Sequence, residues 1–567
     1  LREIEGVTAI VYDQTCAAEK RRRRKRGRFP DPAKRVFIND LVCEGCGDCS
    51  KESNCLSVVP VETEFGRKRE IDQSSCNKDY SCVKGFCPSF VTVHGGALKP
   101  GKAGDLGEDE LAPLPEPAHP ALDEPYGILV TGVGGTGVVT IGALLGMAAH
   151  LEQRGCTILD MTGLAQKGGA VYSHVRIACT PAEIHAVRIA AGGAHLLLGC
   201  DLVVAASADA LSKLQPGHSR AIVNSHETIT GDFTRNPDLT FPSRALKRSI
   251  VEATGADKTE FIDATRVAAG VFGDSIASNL FMLGFAYQRG AVPLSADALE
   301  RAIELNGVAV EFNRRAFRWG RRAAVDPALV DARATPRGAV PETHRLSETL
   351  EQVIDRRVAF LTEYQNAAYA ARYASLVGRI REAEANCTGE MALTDVVARA
   401  LFKLMAYKDE YEVARLYTQT DFLERVADRF EGPYELHFHL APPLLADRDP
   451  ESGHLRKRIY GPWMISVFRI LAKLRRLRGT PLDIFGRSEE RRTERRLIGE
   501  YEAVLDEIIS RLSAANHPTA VELAALPLEI RGFGHVKQVN LNRAKAKEAA
   551  LLTRFRSPSP ARALAAE

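Results

Sequence analysis

The chain has 567 residues, too many for one hydrophobic core, which rarely grows past about 250–300 residues, so several domains are expected. Its 75 basic and 72 acidic residues nearly cancel to +3, and this balance implies no nucleic-acid partner. Hydrophobic content of 45% is ordinary for a globular protein, and no apolar run approaches the ~18 residues a membrane span needs, so a cytoplasmic protein in a reducing compartment is expected.

In chain order, Gly6-Val-Thr-Ala-Ile-Val-Tyr12 reads as a buried strand. A strand alone cannot bury both faces, so residues 1–27 are expected to be the remnant of an upstream domain followed by a basic linker. Glu19 to Arg28 carries eight basic residues. Three readings stand: a solvated linker, a nucleic-acid patch, or a cationic strip that steers an acidic electron carrier, the last being preferred.

Residues 28–98 read as a small ferredoxin-like iron–sulfur module. Seven of the twelve cysteines fall within 45 residues: Cys43, Cys46, Cys49, Cys55, Cys76, Cys82 and Cys87, the last followed by Pro88. Two consecutive two-residue gaps let one tight loop aim three thiolates at adjacent corners of one inorganic cube, and a later Cys-Pro characteristically supplies a remote ligand. Zinc sites usually present separated Cys-x-x-Cys pairs, and disulfide frameworks suit small secreted domains. One [4Fe–4S] cluster is expected and a second is open. The crossing rule groups Cys43, Cys46, Cys49 and Cys87, leaving Cys55, Cys76 and Cys82; the alternative groups the last four. A second cluster then needs an eighth ligand, for which Cys16, 27 residues before Cys43, is the nearby thiol.

Residues 99–126, rich in Gly, Pro, Ala and acid, read as a linker. Then Ile128-Leu-Val-Thr-Gly132-Val-Gly134-Gly135-Thr-Gly137 forms an apolar strand entering a glycine turn, with a helix over Val138 to Gln153. Gly132, Gly134, Gly135 and Gly137 are candidate anion-binding positions. With Asp160 closing the next strand, Cys156–Asp160, the turn superficially matches a dinucleotide fingerprint; the bland alternative is close strand–helix packing. Further strands are expected at Val171–Ala178, Leu202–Ala206, Ala221–Asn224 and Phe261–Ala264. Helices are expected near Ala208–Leu214, Ser275–Gln288 and Ala296–Arg318. This alternation implies a doubly wound α/β domain over 127–322. Its polar loop Thr162-Gly-Leu-Ala-Gln-Lys167-Gly168-Gly169 leaves a strand end, where such sheets place ligands. His174 and Arg176 share one strand face beyond it.

The glycine turn, the loop Gly163 to Gly169, Ser173-His-Val-Arg-Ile177 and Glu304-Leu-Asn-Gly307 resemble the gamma domain of 2-oxoacid:ferredoxin oxidoreductases. The order of cysteine module, gamma domain and helical tail resembles the C-terminal half of the fused, indolepyruvate-type members. The resemblance implies that thiamine diphosphate with magnesium, on other domains, attacks a 2-oxoacid, that electrons pass through iron–sulfur clusters to ferredoxin, and that coenzyme A takes the acyl group. It adds Lys167, Gly168 and Gly169 as cofactor-binding candidates, with the gamma domain helping to cover coenzyme A. A homo-oligomeric full enzyme is expected. No thiamine-binding signature is found here, so the chain is expected to carry electrons without decarboxylating alone. Asp13 to Cys16 resemble the end of the missing domain.

After a linker at 323–344, residues 345–552 show helical periodicity, as in Ala400–Leu416 and Trp463–Leu477, and read as a helical C-terminal domain with a tail at 553–567. The fold class expected is therefore multidomain α/β plus α. His439 and His535 read as structural histidines; Cys156, Cys179, Cys200 and Cys387 read as buried thiols. No catalytic residue is assigned. The alternatives to an oxidoreductase portion are a non-catalytic electron-transfer and assembly subunit, and an NAD-linked iron–sulfur oxidoreductase.

Overall fold

The computed structural model describes residues 4–11, 13–99, 113–163, 168–334, 341–442, 446–451 and 453–557. Its strands, in chain order, are β1 (Lys34–Ile38), β2 (Val58–Val61), β3 (Lys68–Ile71), β4 (Phe90–Leu98), β5 (Tyr126–Val133), β6 (Gly155–Thr162), β7 (Ala170–Ala178), β8 (Leu196–Gly199), β9 (Arg220–Asn224), β10 (Thr259–Ile262), β11 (Phe430–Leu440) and β12 (Arg458–Tyr460). Two compact units form: residues 1–98, 231–237 and 338–567 make one, and residues 99–230 and 238–337 the other.

The first unit joins the cysteine segment to the helical segment in one sheet. β4 pairs antiparallel with β1 on one side and with β11, more than 330 residues later, on the other; β12 then pairs with β11. The two segments also share a core. Tyr417 stacks on Phe468 at 5.1 Å and meets Phe438 and Phe422 edge-on, all four being buried with Val36, Val91 and Val93. Burying one Phe-sized side chain is worth about 1.5–3 kcal/mol, and favourable ring geometry adds about 0.5–1.5, so this cluster binds the segments strongly. A second core is built by helices Leu350–Tyr364, Ala367–Cys387, Ala392–Met405 and Glu489–Arg511, around Leu361, Tyr373, Leu401 and Leu505.

The second unit is a six-stranded sheet ordered β10-β9-β8-β5-β7-β6, parallel from β10 to β5, with β7 antiparallel to both neighbours. Alternation along its strands divides the core. Ile128, Val130, Leu196 and Leu198 pack with helices Val138–Leu151 and Ser278–Gln288, whereas Leu129, Leu197, Ala221 and Val223 pack with Leu202, Ala205 and Ile250. Helices therefore cover both faces, which is why its central strands are apolar throughout.

Several local expectations are corrected. Residues 6–11 form no strand and are exposed, because among the described residues no strand pairs with them; Tyr12 lies outside those residues. Glu19 to Arg28 is helical rather than linker in its first part, over Ala17–Lys25. Leu202–Ala205 is a helical turn, not a strand: Asp201 Oδ1 accepts the Val204 N–H at 2.9 Å, an N-cap that outweighs the apolar run, and the buried strand is the preceding β8. The helix expected over Ala296–Arg318 breaks into Ala296–Asn306 and Val310–Val325 at Gly307, which has φ of +68°. That over Ala400–Leu416 breaks where Asp409 caps Glu410–Thr418, its Oδ1 accepting Glu412 N–H at 2.8 Å. Of the cysteines expected to be buried, Cys200 is buried, Cys156 and Cys387 are half-buried and Cys179 is exposed, since Cys179 lies just past the end of β7.

Candidate functional site

The loop after β1 carries Cys43 and Cys46 into the short helix Asp48–Ser53, which holds Cys49; Cys55 follows it. Cys76 precedes a 3₁₀ turn at Ser81–Lys84 that contains Cys82, and Cys87-Pro88 leads into β4. The fold brings these seven together as two groups. Burial raises the Cys46 thiol well above its ordinary range, and the charges of Cys87, Cys49 and Cys43 add to the shift. Cys49 is raised by burial, then by Cys43 and Cys87, with Arg69 acting to lower it and Cys82 of the second run a smaller contributor. Cys82 instead is pushed up to about 12 by burial with Cys55 and Cys76 as its main neighbours, and Cys76 is raised by burial with Cys55 beside it. Cys43, Cys46, Cys49 and Cys87 thus form one group, and Cys55, Cys76 and Cys82 the other.

The donor set fits an anionic cluster of several metal atoms better than its alternatives. None of the seven cysteines of the module is in a disulfide. Their spacing, two consecutive two-residue gaps with a remote Cys-Pro, is that of a cluster loop rather than of the separated Cys-x-x-Cys pairs of zinc sites. Thiolates gathered in such a buried group would be stabilised by the positive charge of bound metal. The surroundings point the same way. Arg69, with 0% exposure, faces the charges of Cys43, Cys49 and Cys46, and its buried Nε has no hydrogen-bond partner. Lys457 is lowered to about 8 by burial, while Cys87, Cys49 and Cys82 act to raise it. Uncompensated buried cations around neutral thiols would be unfavourable; around an anionic cluster they are paired.

The helical segment holds the cysteine loops by their backbones. Lys408 donates to Cys43 O at 3.2 Å and pairs with Glu44 at 2.5 Å. Lys457 donates to Gly85 O and Cys87 O, Tyr417 Oη to Pro88 O at 2.7 Å, and Arg531 to Gly45 O at 3.4 Å. Beneath them Arg357 pairs with Glu64 at 2.5 Å, both side chains being 2% exposed. Sequence reasoning missed these clamps, because each joins residues hundreds of positions apart. It also missed β11, although Leu436-His-Phe-His-Leu440 alternates with period two and carries a strand signal.

In the second unit, Gly134 N–H donates to Gly169 O at 2.7 Å and Gly168 N–H to Gly134 O at 3.0 Å, so the glycine turn and the later polar loop meet. Lys167 lies outside the described residues. Gly135 is exposed at the turn, and Gly137 precedes the Val138–Leu151 helix. Gly132 serves packing as well: a Cβ there would sit 2.7 Å from Val138 Cγ2 and 3.1 Å from Cys200 Cβ. Asp160 lies on edge strand β6, which β7 separates from β5. That order departs from the dinucleotide arrangement, in which the acidic residue closes a strand of the βαβ unit begun by the glycine turn. His174 is 2% exposed, accepts Ile189 N–H on Nδ1 at 3.3 Å and is lowered to about 4 by burial, so it is a neutral strand histidine. His439, on β11, bonds Thr92 at 3.1 Å and is lowered to about 3 by burial. His535 stacks on His454 at 4.0 Å.

The second unit is a six-stranded sheet with one antiparallel strand, covered on both faces and presenting this glycine turn. Residues 127–323 match the family described as pyruvate ferredoxin/flavodoxin oxidoreductase, and residues 350–550 match a family of unknown function. The indolepyruvate oxidoreductase subunit IorB of Methanothermobacter thermautotrophicus is 29% identical over 203 residues, which is 35% of this chain and 98% of that protein. That of Pyrococcus horikoshii is 28% identical over 202 residues, 35% of this chain and 96% of the relative. Among solved structures, pyruvate oxidoreductase subunit PORC of Thermotoga maritima aligns at 20% identity with a TM-score of 0.26, covering 35% of this chain and 97% of that one. The 2-oxoglutarate:ferredoxin oxidoreductase of Magnetococcus marinus aligns at 15% with a TM-score of 0.28, covering 36% and 31%. Residues 127–323 are thus similar in sequence to the 2-oxoacid:ferredoxin oxidoreductase family over their whole length. No helix among the described residues is long and apolar enough to cross a membrane.

Proposed function

We propose that this chain is the electron-transfer and gamma-domain portion of an indolepyruvate-type (aryl 2-oxoacid):ferredoxin oxidoreductase, which converts a 2-oxoacid and coenzyme A to acyl-CoA and carbon dioxide. The thiamine diphosphate and magnesium that begin the reaction would be held by residues outside this chain's assigned segments, upstream or on a partner. The observation that carries the reading is the convergence of Cys43, Cys46, Cys49 and Cys87 into one buried group beside Arg69 and Lys457, in a chain that also carries an IorB-like domain.

When bound there, a [4Fe–4S] cluster supplies one-electron transfer. Cys43, Cys46, Cys49 and Cys87 would hold it as thiolates, Arg69 and Lys457 would offset their charge, and β4 and the Tyr417–Phe468 stack, in the same core, would keep water from them. In the other unit, Gly134 and Gly168 tie the glycine turn to the polar loop, and Gly135 and Gly137, where the turn opens the Val138–Leu151 helix, are the positions that would meet an anionic group of coenzyme A, with Lys167 adding a charge. The basic helix Ala17–Lys25 steers an acidic ferredoxin by long-range attraction.

The test is anaerobic reconstitution of the full chain with iron and sulfide. Visible absorbance that bleaches on reduction, with no coenzyme A-dependent indolepyruvate oxidation until thiamine-bearing domains are added, is expected. Turnover by the chain alone, or iron binding indifferent to Cys87→Ser, would overturn the proposal.

A further inference from the structure

The iron–sulfur reading leaves Cys55, Cys76 and Cys82 one ligand short. We infer that Asp79 is that ligand, its carboxylate standing where a cysteine stands in the first loop, so that Cys55, Cys76, Asp79 and Cys82 hold a second cluster. The inference rests on the iron–sulfur reading of the module.

Spacing gives the first sign. Cys43-x2-Cys46-x2-Cys49 is repeated as Cys76-x2-Asp79-x2-Cys82. The backbone repeats with it. In the first loop, the residues on either side of Cys46 are left-handed, Gly45 at φ +66° and Gly47 at +79°; in the second, those beside Asp79 are left-handed too, Lys78 at +51° and Tyr80 at +64°. Glycine adopts such angles freely, but Lys and Tyr do so rarely, so the second turn keeps the conformation of the first against the preference of its own residues. Backbone strain of this kind clusters where a ligand is clamped.

The hydrogen bonds repeat as well. Cys43 Sγ accepts the N–H of Gly45 at 3.3 Å and Cys46 accepts that of Asp48, each two residues on. Cys76 Sγ accepts Lys78 N–H at 3.5 Å, and Asp79 Oδ1 accepts Ser81 N–H at 3.2 Å. Ser81 Oγ adds a bond at 2.9 Å to the same Oδ1. Asp79 thus occupies the local position of Cys46. Each loop then enters a helical turn whose second residue is the third ligand, Cys49 in Asp48–Ser53 and Cys82 in Ser81–Lys84. The remote cysteines cross over, Cys87 to the first group and Cys55 to the second. Asp79 itself acts electrostatically on both Cys76 and Cys82. A carboxylate brings one negative charge and a hard oxygen, so it can complete the set, but iron bound through oxygen is held less firmly than iron bound through soft thiolate. Asp79 is exposed, as is Cys16, the other candidate, but Asp79 sits within the loop from Cys76 to Cys82, whereas Cys16 stands at the start of the basic helix.

The full chain, reconstituted anaerobically, is compared with Asp79→Ala, Asp79→Cys and Cys16→Ala by iron and sulfide content and by electron paramagnetic resonance before and after mild oxidation. The wild type is expected to hold about eight irons and, on oxidation, to release one and show a three-iron signal. Asp79→Ala should show that signal without oxidation and hold about seven irons; Asp79→Cys should keep all its iron through oxidation; Cys16→Ala should match the wild type. Asp79→Cys also guards against misfolding, since restored iron retention shows that the loop tolerates change. About four irons in the wild type, unchanged in Asp79→Ala, would overturn the inference while leaving the first cluster standing. So would eight irons with an unaltered spectrum in Asp79→Ala, or loss of the second cluster in Cys16→Ala. Absence of bound iron from every protein would instead sink the iron–sulfur reading itself.

Discussion

Replacing Arg357 with Met isolates what the helical segment does for the cysteine module. Arg357 Nη1 lies 2.5 Å from Glu64 Oε1 and its Nη2 donates to Glu64 O at 2.8 Å, with Glu64 on the turn between β2 and β3. Both side chains are 2% exposed. Met keeps the apolar stem against Phe65 and Phe402, over which the guanidinium now sits at 5.8 and 5.4 Å, so the change removes charge and bonds rather than bulk. Breaking a buried ion pair from one side costs about 3–5 kcal/mol, because the other charge is left unpaired. The lower end is expected here: Glu64 Oε2 still accepts Ser347 N–H at 2.7 Å, and Arg356 Nη1, 3.3 Å away, can take up part of the charge. Removing both partners, as Glu64→Leu with Arg357→Met, should recover most of the loss. Urea unfolding followed by absorbance of the reconstituted module and by tryptophan fluorescence measures both. A cost below about 1 kcal/mol for Arg357→Met, or a double variant that merely adds the two losses, would refute the reasoning.

Other outcomes follow from the same geometry. Burial acts to raise Asp40, but the His344 hydrogen bond and the Arg425 charge outweigh it and hold it at about 2, below its ordinary 3.8. A lowered carboxylate stabilises the fold fully above its ordinary value and loses that contribution as pH falls through the lowered one. Acid titration from pH 5 to pH 2 should therefore show a loss of about 2 kcal/mol that Asp40→Asn abolishes; an unchanged acid limb in Asp40→Asn would contradict this. Arg21 and Arg24 anchor the basic helix on Ser75 O and Asn77 O, next to Cys76. Arg21→Gln with Arg24→Gln should slow electron transfer to an acidic ferredoxin by roughly tenfold at low ionic strength and leave the rate at high salt almost unchanged in stopped-flow records. Gly132→Ala should lower the stability of the second unit by about 1–3 kcal/mol, since its Cβ meets Val138 and Cys200, while iron content stays constant; calorimetry with iron assay separates the two.

Local chemistry was legible in the sequence. The two-residue cysteine gaps, the apolar strand entering Gly132 to Gly137, and the charged helical periodicity after residue 345 all depend on neighbours within a few positions, and the corresponding loops and helices are present in the structure. Short apolar runs were not decisive: Leu202–Ala205 became helix because one preceding Asp side chain supplied a cap, an outcome of a single hydrogen bond. The amphipathic stretches at 296–318 and 400–416 were correctly helical but broke where Gly307 and Asp409 offered termini.

What the sequence by itself determined, then, is the kind of donor and the shape of each loop, since spacing along the chain limits how thiolates and glycine amides can converge. What only the tertiary structure decided is which distant segments meet: that β11 extends the sheet begun by β1 and β4, and that Glu64 is neutralised from the helical segment, while of the two cysteine groupings that spacing left open the fold favours the one in which Cys87 joins the first run and Cys55 the second. Those pairings join residues tens to hundreds of positions apart. Loop closure costs little more as a loop lengthens, so sequence distance scarcely biases the choice, and burial of complementary surfaces and charges decides it.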